Sequence, residues 1–328
     1  MGWVPWWSES RSSGGVFGFT SYATAEEVTH GIDASHLTAI ITGATSGIGF
    51  ESARVLAKRG TRVVMAVRNV GSGSKAKELI LEETPTAQVL VLELNLSSLQ
   101  SVHEFYKSFT ALNLPLNILI NNAGILGGPF KLSSDGLELQ FATNYLGHFL
   151  LTKLLLEVMV GTVKDMGVEG RIINVASDAH RFGFAGGFQL EKLDDEKSYH
   201  AYLTYAKTKL ANILHANELS RRLKLEGANV TVNSANPGIV VTRIIRNYRF
   251  LEIVAPFIES LLARLMLKTI PQGAATQCFL ALHPCVNGVS GKYFGNCSYS
   301  KRTRSASDPK LAQQLWEFSE FMLSLKSF

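Results

Sequence analysis

Cysteine is scarce in this chain: three occur among 328 residues, at positions 278, 285 and 297. No two of them form a CxxC pair, and no cluster of histidines lies beside them in the sequence. A disulfide framework and a metal site are therefore not expected, and the chain fits a reducing compartment.

Long apolar runs and dense basic tracts are also lacking. No uninterrupted apolar run reaches the roughly 18 residues that a membrane-spanning helix requires, and the most apolar stretch, residues 250–270, contains four charged residues. The net charge of +5 is spread along the chain apart from a small cluster at residues 301–304, so nucleic acid is not an expected partner. Residues 1–30 lack the basic start and the apolar segment of a secretory signal.

From residue 37 onward, short β-branched runs alternate with longer amphipathic stretches. Strands are predicted at residues 37–42, 62–67, 88–94, 117–121, 171–176, 229–234 and 288–294. Helices are predicted at residues 48–59, 75–83, 98–109, 137–160, 201–226 and 309–325. Several strands are apolar nearly throughout, as in a parallel sheet that helices cover on both faces. The pattern predicts an α/β fold with a Rossmann-type doubly wound parallel sheet in a single domain.

The domain is predicted at residues 35–300, with an appendage at each end. Residues 1–34 precede it, and three tryptophans beside a Ser/Gly-rich stretch fit either a flexible N-terminal arm or a weak interfacial anchor. Residues 301–328 form a basic segment and an amphipathic C-terminal helix. Packing of this helix on the domain is the favoured interpretation, and binding to calmodulin or to a membrane surface is the alternative.

A glycine-rich segment follows the first predicted strand and opens the first helix. Glycines at such a point permit a tight turn and let backbone N–H groups and the helix N-terminus approach a pyrophosphate. The residues predicted to hold a dinucleotide here are Gly43, Thr45, Ser46, Gly47, Ile48 and Gly49. The second strand leads into Arg68 with no Asp or Glu beside it. Because an acidic residue usually holds the ribose of NAD and an arginine can hold the 2′-phosphate of NADP, NADP(H) is favoured.

Tyr205 and Lys209 lie four residues apart on a predicted helix and therefore share a face. A lysine ammonium, together with the positive charge of a nicotinamide, is expected to lower the pKa of the phenol from roughly 10. Tyr205 can then act as general acid or base on a carbonyl or alcohol oxygen. Ser177 follows a strand at the edge where ligands bind in open α/β sheets, and its hydroxyl can donate to the same oxygen. Asn144 needs hydrogen bonds if it faces the sheet.

These motifs, in this order, resemble the short-chain dehydrogenase/reductase family over about residues 37–294. The family's TGxxxGxG turn matches the glycine-rich segment, and its NNAG motif matches Asn121–Gly124. The resemblance implies that Lys209 binds the nicotinamide ribose and that Asn144 helps to hold a water in a proton relay. The implied catalytic tetrad is Asn144, Ser177, Tyr205 and Lys209. The other implied cofactor contacts are Asn122, Ala123, Gly124, Tyr205, Lys209, Pro237, Gly238 and Thr242.

One position departs from the family. Where the family often has an acidic residue near the adenine, this chain has Asn95, which keeps an acceptor but loses the charge. Adenine binding through Asn95 is therefore expected to differ from the family pattern.

Within the family, residues 144–152 and 209–212 look like the retinol dehydrogenase and WW-domain oxidoreductase branch. Residues 25–33 are similar to a plant member of that branch associated with the chloroplast inner-envelope import translocon. The resemblance implies a peripheral location at the chloroplast inner envelope, with the cytoplasm as the alternative. Calmodulin, translocon components, peripheral membrane contact and a second copy of the chain are the partners it suggests.

The predicted function is NADP(H)-dependent interconversion of a carbonyl and an alcohol. An apolar lid is expected at residues 247–270, and such a lid fits a lipophilic small-molecule substrate. The alternative is a redox-sensing NADP(H)-binding regulatory subunit of the import translocon.

Overall fold

The computed structural model describes residues 15–183, 195–240 and 267–326. Strands of an open sheet alternate with helices from residue 38 onward. The strands are β1 (Thr38–Thr42), β2 (Arg62–Val67), β3 (Val89–Glu93), β4 (Ile118–Asn121), β5 (Gly170–Val175), β6 (Val230–Asn236), β7 (Ile239–Val240), β8 (Leu267–Lys268), β9 (Tyr293–Gly295) and β10 (Ser298–Tyr299).

Eight of these strands form one sheet in the order β10-β9-β6-β5-β4-β1-β2-β3. All neighbours in it pair in parallel except β10, which runs antiparallel to β9. The chain reverses its direction of travel between β1 and β4, so the crevice that binds ligands in this topology lies beyond the carboxyl ends of those two strands. The predicted doubly wound parallel sheet is confirmed.

Helices cover both faces because the sheet is apolar on both. Strand β1 has all five of its residues buried, and β6 all seven. The helices are α1 (Ala25–Val28), α2 (Gly47–Lys58), α3 (Val70–Glu83), α4 (Leu99–Thr110), α5 (Leu139–Phe141), α6 (Gly147–Met166), α7 (Ala201–Leu225), α8 (Ile270–Leu282) and α9 (Pro309–Ser324). Helices α1, α2, α3 and α8 share one core cluster, and α4, α6 and α7 share the cluster on the opposite face.

By length and composition alone, the helical stretch Leu139–Met166 could cross a membrane, but 61% of its most apolar window is buried within the protein. Leu151, Leu155 and Met159 of this stretch pack in the core beside strand residues of the sheet. The stretch is therefore accounted for as a core helix of the fold.

The N-terminal boundary differs from the prediction. Within the expected arm, residues 15–34 pack on the domain: the Phe17 ring centre lies 5.3 Å from that of Phe279, and Ala25 and Val28 are buried. A capping box between Thr24 and Glu27 begins the short helix α1. The prediction placed this segment outside the core because the sequence alone does not reveal the aromatic side chains that it packs against.

Two further predictions concern the C-terminal half of the chain. The expected lid at 247–270 and Thr242 lie outside the described residues, except for residues 267–270. The last parallel strand is shorter and later than predicted, at Tyr293–Gly295, and β10 forms the sheet edge beyond it.

Candidate active site

The glycine-rich turn leads from β1 into α2 and has no room for a Cβ at Gly43 or Gly49. Gly43 and Gly47 have φ angles of +69° and +59°, which disfavour residues with a Cβ. A Cβ on Gly49 would lie 2.4 Å from Asn122 Nδ2 and 2.5 Å from the Gly43 carbonyl oxygen. Ser46, the N-cap of α2, makes no side-chain capping bond. The helix N-terminus is thus left without a side-chain cap, which suits an anionic pyrophosphate.

Hydrogen bonds to Thr42 connect the turn to the end of β4. The backbone N–H groups of Asn122 and Ala123 both donate to Thr42 Oγ1, each over 2.9 Å. The Asn122 side chain donates to the Thr42 carbonyl over 2.8 Å. Two of the predicted cofactor residues therefore lie directly against the glycine turn. Thr42 was not among the predicted site residues, although its place before the first glycine was a signal.

Helix α7 brings Tyr205 and Lys209 to the same edge of the sheet. Lys209 Nζ lies 5.5 Å from the centre of the Tyr205 ring and donates to the Val175 carbonyl over 2.9 Å. The Ser177 hydroxyl, two residues beyond Val175, lies beside the Tyr205 phenol and acts to lower its pKa. The structure thus brings Ser177, which follows a strand, to the helix face that Tyr205 and Lys209 share.

Asn144 completes this group from a π-turn at Ala142–Leu146, a distortion frequent at functional sites. Its Oδ1 accepts from the Ile125 N–H over 2.8 Å, and its Nδ2 donates to the Ile125 carbonyl and to Thr208 Oγ1. The buried amide has the hydrogen bonds that the sequence argument required. A Cβ built on Gly124 would lie 3.5 Å from Asn144 Oδ1 and 3.6 Å from Lys209 Nζ, so these three residues border one small space.

Burial is the largest cause of the pKa shifts of Lys209 and Tyr205. It lowers the pKa of Lys209 to about 8 and raises the pKa of Tyr205 to about 12, although the Ser177 hydrogen bond opposes the latter shift. The lowered pKa expected for Tyr205 therefore does not arise from Lys209 alone. The physical reason is that desolvation of the phenolate outweighs the opposing effect of the neighbouring Ser177 hydroxyl.

The remaining predicted cofactor residues that the structure describes lie along the same edge. Arg68 is exposed directly after β2. Asn95 Oδ1 accepts from Ser97 Oγ over 2.8 Å, so the acceptor that this residue keeps is used within its own turn. Pro237 and Gly238 follow β6, where Gly238 has a φ of +79° and lies against the Lys268 side chain. Thr45 and Ile48 are partly buried within the turn and the first turn of α2.

The donors at this edge fit a nicotinamide dinucleotide. The glycines form a cradle that Cβ atoms would fill, beside a helix N-terminus without a side-chain cap. The Gly124 space lies between the Asn144 side chain and the Lys209 ammonium. Both features belong to one continuous edge because Asn122 and Ala123 join them.

Gln140 was missed by sequence reasoning. It is buried, its Oε1 accepts from the Gly127 N–H over 2.8 Å, and its Nε2 donates to Tyr199 Oη over 3.0 Å. It thereby ties the loop after the NNAG motif to the segment before α7. No local pattern in the sequence marked Gln140. His180 is buried with Nδ1 2.8 Å from the Ser177 carbonyl oxygen, and burial lowers its pKa.

Comparison with known proteins adds independent findings. The model of the short chain dehydrogenase family matches residues 37–189. Short-chain dehydrogenase TIC 32 B, chloroplastic, of Brassica napus is 48% identical over 305 residues, which cover 93% of this chain and 94% of that protein. Retinol dehydrogenase 14 of Mus musculus is 38% identical over 298 residues, covering 88% of this chain and 86% of that protein.

A solved structure shows the same fold. The crystal structure of an uncharacterized protein from Mycobacterium paratuberculosis has a TM-score of 0.70 and 32% identity with this chain. The match covers 92% of this chain and 97% of that one. The resemblance inferred from the motifs is confirmed, and so is the fold class.

Proposed function

This chain belongs to the short-chain dehydrogenase family of oxidoreductases, and on that premise we propose that it interconverts a carbonyl and an alcohol on a lipophilic small molecule with NADP(H). The observation that carries the proposal is the meeting of Ser177, Tyr205 and Lys209 at one sheet edge, with Asn144 across the Gly124 space. A hydroxyl pair beside a cation can transfer a proton to or from a substrate oxygen and stabilise the charge that develops there.

Members of this family use a nicotinamide cofactor. When bound, it supplies or accepts the hydride. The glycine turn, Asn122–Gly124 and Pro237–Gly238 would hold it, with Thr242 as the family counterpart beyond the described residues. Arg68, exposed after β2 with no acidic residue beside it in the sequence, supports NADP(H) over NAD(H) because a guanidinium can pair with a 2′-phosphate.

Residues of the chain itself transfer the proton to and from the substrate oxygen. The Tyr205 phenol gives a proton to the substrate oxygen in reduction and takes it in oxidation. Ser177 donates to the same oxygen and, from its position beside Tyr205, helps to orient the phenol. Lys209, held by the Val175 carbonyl, favours the phenolate by its charge. Asn144, by our proposal, helps to hold a water that resupplies the proton.

A lipophilic substrate is supported by the apolar composition of residues 247–270 and by Phe182, whose side chain is 55% exposed five residues after Ser177. Similarity to a retinol dehydrogenase agrees with a hydrophobic alcohol or aldehyde. The chloroplast is the proposed location because the TIC 32 relatives are chloroplastic. Peripheral attachment to the inner envelope and contact with calmodulin or translocon proteins are the corresponding partner proposals.

The second candidate function rests on the same TIC 32 similarity. In it, the chain binds NADP(H) to report redox state to the import translocon and turns over little substrate. The assembled hydroxyl and ammonium groups favour the enzyme, because a sensor requires only the cofactor cradle.

A panel of lipophilic aldehydes, ketones and alcohols tests the proposal. The full chain is assayed with NADPH or NADP⁺, and in parallel with NADH or NAD⁺, by the absorbance of the reduced nicotinamide. We expect turnover of at least one carbonyl or alcohol with preference for the phosphorylated cofactor, and Arg68→Ala should remove that preference. Tight NADPH binding with no turnover across the panel would instead support the sensor, and no NADPH binding would contradict both.

A further inference from the structure

His148 is buried at the start of α6, with both ring nitrogens engaged. Nε2 lies 2.8 Å from Thr42 Oγ1, at the entrance to the glycine turn. Nδ1 lies 3.2 Å from the Asn144 backbone carbonyl, in the π-turn. The side chain is 2% exposed, so water does not compete for either contact.

These partners determine where the protons lie. A carbonyl oxygen only accepts, so Nδ1 carries the hydrogen and Nε2 is the acceptor. The Thr42 hydroxyl therefore donates to Nε2, while its oxygen accepts from the N–H groups of Asn122 and Ala123. Thr42 Oγ1 also lies 3.5 Å from the Ile120 carbonyl oxygen, at the limit of a hydrogen bond, so Nε2, at 2.8 Å, is the better acceptor for the hydroxyl proton. Burial lowers the pKa of His148 to about 3, so the ring stays neutral at ordinary pH.

We propose that His148 is a positioning residue for the reaction, which fixes the Asn144 carbonyl relative to the loop that follows β4. The inference rests on the proposed function. Asn144 in turn holds the Ile125 backbone and Thr208, the residue before Lys209. The Asn144 carbonyl and its side chain both belong to the π-turn at Ala142–Leu146, so a shift of that turn moves them together. The ring thus links the glycine turn to the residues beside the reacting oxygen.

The same helix offers a matched control. Thr152 lies one turn after His148 on the same face, is 1% exposed, and accepts from Asn121 Nδ2 over 3.0 Å. It joins α6 to the sheet as His148 does, but it contacts neither Asn144 nor Thr42 in the described part of the chain. Loss of either side chain should lower stability, and only loss of His148 should alter the reaction.

Two amide substitutions separate the two ring contacts. His148→Asn keeps a donor near the position of Nδ1, and His148→Gln keeps an acceptor near the position of Nε2. We expect kcat to fall about tenfold in His148→Gln and less than about threefold in His148→Asn, where tenfold corresponds to about 1.4 kcal/mol of barrier. KM and the Kd for NADPH, measured by nucleotide fluorescence, should change less than about threefold in both variants, since Thr42 still accepts from the loop.

Thr152→Val supplies the comparison, with kcat expected within about twofold of the wild type despite a lower Tm. Equal losses of kcat in the two His148 variants, or a loss in Thr152→Val as large as that in His148→Gln, would overturn the positioning role.

A measurement independent of turnover completes the test. Nitrogen-15 NMR of the histidine rings in the full chain at pH 7, with His148→Asn used to assign the signal, should show His148 with Nδ1 protonated. Protonation on Nε2 would overturn the inference whatever the activity. The expected tautomer together with no turnover on the substrate panel would mean that the contacts exist but the proposed function, and the positioning role with it, is wrong.

Discussion

Gly49 and Gly161 are the same residue type in opposite surroundings. A Cβ on Gly49 would meet Asn122 Nδ2 at 2.4 Å and the Gly43 carbonyl at 2.5 Å, whereas one on Gly161 in α6 would have nothing within 4 Å. Asn122 cannot easily yield, because its amide is bonded to the Thr42 carbonyl. The turn therefore requires glycine at position 49 because its backbone lies so close to Asn122 at the end of β4.

We expect Gly49→Ala to weaken NADPH binding by more than about tenfold, or about 1.4 kcal/mol. Gly161→Ala, the matched control, should leave binding unchanged and stabilise the chain by about 0.5–1 kcal/mol. Fluorescence titration with NADPH and urea unfolding measure the two effects. Equal NADPH affinity in the two variants would contradict the role assigned to the turn.

Single residues also show what a sequence can and cannot reveal. The spacing of Tyr205 and Lys209 predicted a shared helix face, and they do lie close together. The direction of the Tyr205 pKa shift was not predictable, because it depends on how deeply the folded chain buries the phenol. The role of Gln140 could not be predicted from any sequence pattern, because its hydrogen-bond partners Gly127 and Tyr199 are distant in sequence.

At the scale of elements, the C-terminal helix α9 is part of the domain. The Trp316 ring lies 4.9 Å from the Phe149 ring, and the Arg222 guanidinium lies 4.4 Å from it. Ser319 on the same helix hydrogen-bonds to Tyr145 Oη over 2.7 Å, beside Asn144. These contacts favour packing over partner binding as the resting role of α9.

Trp316→Ala should therefore destabilise the protein by about 3 kcal/mol, at the lower end for a buried tryptophan because the ring is only partly buried. Gln314→Ala, on the exposed side of α9, should change the free energy of unfolding by less than about 0.5 kcal/mol. Urea denaturation monitored by circular dichroism measures both. A loss for Trp316→Ala no larger than that for Gln314→Ala would mean that α9 does not pack as described.

Element prediction worked best where local pattern and burial agree. Strand β2 was predicted at its observed bounds because Arg62–Val67 is a continuous β-branched and apolar run. Helix α8 was missed because Pro271 and Gly273 discourage a helix, although its capping box between Thr269 and Gln272 was a usable signal. Strand β9 is three residues long and ends in a turn with Asn296 and Cys297 at positive φ, which residue preference does not indicate.

For the whole molecule, alternation of apolar strands with amphipathic helices was enough to predict the doubly wound sheet. It was not enough to predict how the ends of the chain pack. The aromatic contacts of Phe17 and Trp316 depend on residues more than a hundred positions away in sequence. The positions of the site motifs after successive strands were enough to predict that these motifs lie together, because the carboxyl ends of parallel strands meet at one edge of the sheet.

The central claim for the molecule is that Tyr205 moves the proton in a reaction with NADP(H). The most direct measurement is kcat and the Kd for NADPH in Tyr205→Phe, with Tyr202→Phe as a control that removes a phenol one turn earlier on α7. We predict that Tyr205→Phe lowers kcat by about 10²–10⁴-fold, with its Kd for NADPH unchanged, and that Tyr202→Phe keeps most of the turnover. Wild-type kcat in Tyr205→Phe would contradict the account.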